Sequence, residues 1–171
     1  ISAMRSLLSG LAATGVTGVV ACVLLGAACL AFLYFGARLA LADAREHQLP
    51  DRFTLPLNAV VLGCLTVACL VLADWGRLGR AWACAALALA LFLAVHLASP
   101  ATMGFGDVKL VPALGGITGV LSWGHPIVAL VLTLVVAGIH AAVVMIRTRN
   151  PRAHIAFGPA LLLGTLAALC L

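Results

Sequence analysis

Charge is the first thing this chain lacks. Only 9% of its 171 residues are Asp, Glu, Lys or Arg, against 64% hydrophobic ones. A soluble domain carries roughly a quarter charged residues, so this chain cannot cover itself with a polar surface. Acids are scarcer still: there are five, Asp43, Glu46, Asp51, Asp74 and Asp107, and each one asks for a reason. Aromatic residues make up 6% and do not interleave with a basic stripe, so the net charge of +5 does not describe a nucleic-acid surface. The six cysteines, Cys22, Cys29, Cys64, Cys69, Cys84 and Cys170, form no CxxC pair. All six fall in apolar runs and read as small packing residues, not as a zinc knuckle. No Ser-His-Asp arrangement is legible around Ser99, Thr102 or Ser122. His96, His125 and His140 lie on separate segments without ligand spacing, so neither a metal nor a cofactor is expected.

Long apolar runs are what the chain has instead. Six can be counted, at roughly 7–36, 54–73, 81–98, 106–122, 126–146 and 155–171. A membrane span needs about 20 such residues. The expected fold class is therefore all-α, a polytopic membrane helical bundle of about six transmembrane helices in one domain over 1–171, with lipid as its solvent. The first run is too long for a signal-peptide core and reads as a retained span. Glycine is frequent, as it is where membrane helices pack closely.

The basic residues give the expected orientation. Arg38, Arg45, Arg52, Lys109, Arg147, Arg149 and Arg152 fall in gaps one, three and five, while Arg5, Arg77 and Arg80 fall on the other side. The positive-inside rule places the seven in the cytoplasm and both termini outside. Trp75, Trp82 and Trp123 then sit at the outer boundary, where an aromatic belt belongs.

Four of the five acids map to the cytoplasmic side. Asp107 lies in "GFGDVKL", where Gly104 and Gly106 are expected to let the backbone take conformations closed to other residues. An apolar helix begins there, and a carboxylate near a helix N-terminus is favoured by the dipole. An acid held at membrane depth is a functional candidate by default. Asp43 lies in "LADAREHQLPDRFTLPL", at the end of the first apolar helix. If that helix continues, Glu46 and His47 share its face. Leu49-Pro50 then breaks it, Asp51 and Thr54 offer caps for the next helix, and Pro56 fits that helix's first turn. Glu46, Asp51 and the arginines read as a solvated hairpin. Asp43 does not, because it is the acid nearest the apolar run. Two facing carboxylates are the minimum equipment for aspartic proteolysis, one as base toward water and the other as acid toward the scissile carbonyl.

"DAREHQLPDRFTLPL" followed at a distance by "GFGDVKL" resembles the type IV prepilin peptidases, polytopic membrane aspartic peptidases of the GxGD class. "AFGPALLLG", from Ala156 to Gly164, resembles their C-terminal P-F-G-P-x-L-x-x-G pattern, with Ala156 where proline is usual. The resemblance implies cleavage of a prepilin or pseudopilin, a substrate with a short basic leader before an apolar helix, at the cytoplasmic face. Asp43 and Asp107 match the catalytic pair, and Gly104, Gly106 and Lys109 match the rest of the second motif. Many members add an N-terminal domain with paired CxxC motifs and methylate the product. These residues contain no such pair and look like the short members that serve tight-adherence pili.

Two other classes stay open in the sequence. One is a small ion- or proton-coupled transporter, which would spread its acids across membrane depth; here they gather on one face. The other is an inactive, peptidase-like subunit of pilus assembly. The residues set no oligomeric state.

Overall fold

Without water in a bilayer, each backbone polar group must find its partner inside the chain, so apolar runs of this length fold as helices. The computed structural model describes residues 15–46, 51–98, 104–148 and 158–171. These form six helices: α1 (Val16–Glu46), α2 (Asp51–Val71), α3 (Trp75–Ala98), α4 (Phe105–Leu121), α5 (Gly124–Thr148) and α6 (Gly158–Cys170). No strand occurs among the described residues. The all-α membrane bundle expected from the sequence is what the chain forms.

Four helices, α1, α2, α3 and α5, contain stretches long and apolar enough to cross a membrane. The other two are short. At about 1.5 Å per residue, α4 is roughly 25 Å long and α6 roughly 20 Å, less than the ~30 Å of a hydrocarbon core. They can be short because the neighbouring helices wrap them. α4 touches α2, α3, α5 and α6, and 12 of its 17 residues are buried.

Several helix ends reach beyond the apolar runs, while α2, α4 and α6 stop one or two residues short of theirs at the C-terminal side. α1 continues ten residues past the expected end, so Arg38, Arg45 and Glu46 lie on the helix. α2 starts at Asp51, which makes Thr54 an interior, fully buried residue and puts Pro56 in the second turn instead of the first. α3 starts at Trp75 where the run begins at 81. Hydropathy marks the part of a helix that meets lipid, and these helices carry polar turns beyond it.

Small residues set the closest approaches. A Cβ on Gly115 would meet the Cys84 carbonyl oxygen at 2.7 Å and one on Gly119 would meet the Cys84 Cβ at 2.7 Å, so α4 lies almost backbone to backbone on α3. This is the glycine spacing that brings membrane helices together. Gly164 of α6 is pressed in the same way against Thr133 of α5. A Cβ on Gly36 of α1 would meet the Leu162 side chain of α6 at 3.0 Å.

The α2–α3 turn closes as a Schellman motif. Asp74 N–H donates to the Cys69 carbonyl at 3.0 Å and Ala73 N–H to that of Leu70 at 3.0 Å, with Ala73 left-handed at φ 52°. Asp74 Oδ1 then accepts from Arg77 N–H at 2.9 Å and caps α3, which gives this acid a structural role. At α4's far end, Arg80 Nε donates to the Gly119 carbonyl at 2.7 Å and its Nη2 to that of Val120 at 2.7 Å. These are carbonyls that a helix C-terminus leaves without an intrahelical donor. Trp75 and Trp123 flank this end of the bundle, at the start of α3 and just after α4, and Trp82 lies two turns into α3.

Candidate active site

The opposite end collects the C-terminal ends of α1 and α3 and the N-terminal ends of α2, α4 and α6. The antiparallel packing shows this directly. Asn58 meets Lys109 near the starts of α2 and α4, and the His96 ring at the end of α3 lies 5.4 Å from that of Phe105.

Asp107 occupies the first turn of α4 and is 4% exposed. The helix begins at Phe105, one residue before the expected apolar run, with Gly104 as its N-cap. Asp107 N–H donates to the Gly104 carbonyl at 3.1 Å. No side chain caps the helix. The buried Asp107 carboxyl lies in the first turn of α4, at the positive end of the helix dipole, which suits an anionic oxygen.

The glycines do not act as the sequence suggests. Gly104 has φ −66° and ψ 141°, an extended conformation open to any residue, and Gly106 is already helical. A Cβ at Gly104 would stand 3.8 Å from Asp107 Oδ2, an ordinary contact. Left-handed backbone freedom is therefore not what this motif uses its glycines for.

Lys109 is half-buried, and its Nζ stands 4.9 Å from the Phe105 ring centroid, within cation–π range. Phe105 itself is half exposed and meets both this ammonium and the His96 imidazole.

Asp43 lies in the last turn of α1. Its helix carries it to the end of the bundle where Asp107 lies. Glu46 is the last residue of α1 and Asp51 the first of α2. His47, Leu49, Pro50 and Ala156 lie outside the described residues.

Sequence reasoning missed Asn58. Its amide Nδ2 donates to the Lys109 carbonyl at 2.6 Å and to that of Thr54 at 2.9 Å, and its Oδ1 accepts from Ala113 N–H at 2.9 Å. A carboxamide inside an apolar run was a signal in its own right, because a polar side chain at membrane depth needs partners.

An apolar cleft of about 270 Å³ opens between α3, α4, α5 and α6, reaching Val111 one turn from Asp107. Its Thr118 and Thr165 hydroxyls donate to the Leu114 and Leu161 carbonyls of their own helices, at 2.7 and 2.8 Å. No acid lines it.

The family model of the type IV leader peptidases matches residues 30–146, a stretch that contains both Asp43 and Asp107. The chain belongs to the type IV leader peptidase family. It is thereby a peptidase-family membrane protein with several helices able to span the bilayer. The match runs from the second half of α1 to the end of α5's apolar stretch and leaves α6 outside it. No curated protein and no solved structure matches the chain.

Proposed function

We propose that this leader peptidase is an aspartic endopeptidase that removes the leader of prepilin-type substrates, with Asp43 and Asp107 as its acid pair. The observation that carries the reading is a buried carboxyl, Asp107, in the first turn of a wrapped helix, in a family of peptidases, with Asp43 delivered to the same end of the bundle. In a chain with five acids this coincidence is the main chemical resource.

Two carboxyls brought together hold one proton between them, because both ionised would repel. The ionised member takes a proton from water, and the water oxygen attacks the scissile carbonyl carbon. The protonated member gives its proton to the carbonyl oxygen, forming a gem-diol. Collapse breaks the C–N bond, with one proton passing to the leaving nitrogen and the pair returning to its starting state. The substrate enters with its basic leader at the cytoplasmic face and its apolar helix in the membrane. Seven of the ten basic residues assign that face to the acid-bearing end.

The test is cleavage of prepilin peptides spanning leader and helix by purified protein in lipid. Wild type should cut, and Asp43→Asn or Asp107→Asn, each verified as folded, should lower the rate by about 10²–10⁴-fold, the range of a lost general acid or base. Persistent cleavage in either variant removes that acid from the pair. Orientation is read separately: a cysteine at Arg149, in a background without other cysteines, should react with impermeant reagents only from the cytoplasmic side. Labelling from outside reverses the topology.

A further inference from the structure

α4 carries Asp107 on one side of Pro112, a proline inside a helix that continues to Leu121. Pro112 has no N–H, so the Val108 carbonyl loses its helical donor and the first two turns of α4 are joined to the rest by a weakened ladder. One step further along, the Lys109 carbonyl and the Ala113 N–H are the groups that would bond each other in an uninterrupted helix. Here a single side chain from another helix meets both. Asn58 Nδ2 donates to the Lys109 carbonyl at 2.6 Å, and Asn58 Oδ1 accepts from Ala113 N–H at 2.9 Å. Its second amide proton goes to the Thr54 carbonyl of its own helix at 2.9 Å. A carboxamide carries donor and acceptor on one carbon and can address such a pair; Asp lacks the donor and Leu lacks both.

We propose that Asn58 is a positioning residue for the acid pair, a suture that fixes α2 to α4 beside the proline break and so holds Asp107 in register with the helix hairpin that bears Asp43. The bonded carbonyl belongs to Lys109, two residues beyond Asp107. On the other side, α2 packs along α1, whose last turn holds Asp43. The mechanical path between the acids therefore runs through this amide. Away from water, a lost bond of this kind has no solvent replacement, and the N-terminal turns of α4 are then free to pivot at Pro112. Asn58 itself need not touch the substrate. The inference rests on the peptidase reading above for its effect on rate, but not for the suture.

The experiment uses the full chain in lipid. Asn58→Ala should lower kcat about 10- to 100-fold with KM within about threefold, since small misplacement of a reacting group costs rate more than affinity. Spin labels at Leu55 and Phe105, exposed positions on α2 and α4, should give a broader distance distribution in Asn58→Ala than in the wild-type background. Adding Pro112→Ala, which returns the missing N–H, should narrow the distribution again and recover part of the rate. The double variant also covers the case in which Asn58→Ala alone does not fold. Wild-type kcat and an unchanged distribution in Asn58→Ala overturn the proposal. A distribution still broad after Pro112→Ala overturns it too, because the proline break is then not what Asn58 offsets. If the distribution broadens while Asp43→Asn and Asp107→Asn both still cleave, the suture stands and its role in positioning catalytic acids is overturned along with the peptidase pair.

Discussion

Helices α4 and α5 are both strongly apolar, yet they are solvated in opposite ways. α4 has 17 residues, 12 of them buried, and is gripped by polar groups from its neighbours: Asn58 at its proline break and Arg80 at its C-terminus. α5 has 25 residues, and among those described only Ala129 and Thr133 are buried, while Ile127, Val131, Leu134, Val135 and Ile139 are all more than half exposed. Composition cannot separate the two, because lipid is as apolar as a protein core. Both have a close backbone approach, α4 at Gly115 and Gly119 and α5 at Thr133, so what separates them is how much of each is wrapped and where polar side chains reach in from other helices. In a bilayer, close packing and interhelical hydrogen bonds drive association. The helix that has both is the helix that carries Asp107.

The largest expected effect comes from the glycines of α4. Gly115→Leu places a side chain where even a Cβ would lie 2.7 Å from the Cys84 backbone oxygen and 3.1 Å from the Ala85 Cα. Backbone on both sides cannot yield, so α3 and α4 must separate. Overpacking a core costs about 1–3 kcal/mol, and splitting a helix pair at its closest approach belongs at or above the upper end. Denaturation in mixed micelles should show a loss of at least about 3 kcal/mol, with peptidase activity lost in parallel. A variant as stable as wild type would mean that the α3–α4 contact is looser than these distances.

The same contrast explains how much was legible beforehand. All six helices could be read as apolar runs, since each must present a long apolar face to lipid or to its neighbours. Their ends could not. Asp51, Arg52, Trp75 and Arg77 are helical but polar or interfacial, so a hydropathy scan leaves them out. Asp107 stood out because acids are rare in this chain, and its place at a helix start followed from the apolar residues after it. The behaviour of Gly104 did not follow, because a glycine-rich stretch suggests a special backbone angle and the structure uses an ordinary one. Asn58 was missed for a different reason. A single amide in an apolar run signals that it needs partners but not which ones, and those become legible only beside Pro112 of another helix. Pairings of that kind are tertiary facts, and no period or composition within one segment contains them.

The smallest expected effect is on the other side of the comparison. A Cβ on Gly138, midway along α5, would meet nothing within 4 Å. Gly138→Leu therefore adds a side chain to a face turned to lipid, where leucine is as well solvated as in any core. It also replaces a poor helix former with one of the best, a difference of up to about 1 kcal/mol in favour of the variant. Stability in mixed micelles should be unchanged or slightly higher, and cleavage of the peptide substrate should stay at the wild-type rate. A clear loss, beyond about 1 kcal/mol, would show that this face is covered in the working protein. The exposed stripe of α5 would then be a contact surface with a second copy or another membrane helix, and the division between a gripped helix and a free one would fail at the point where it is drawn most sharply.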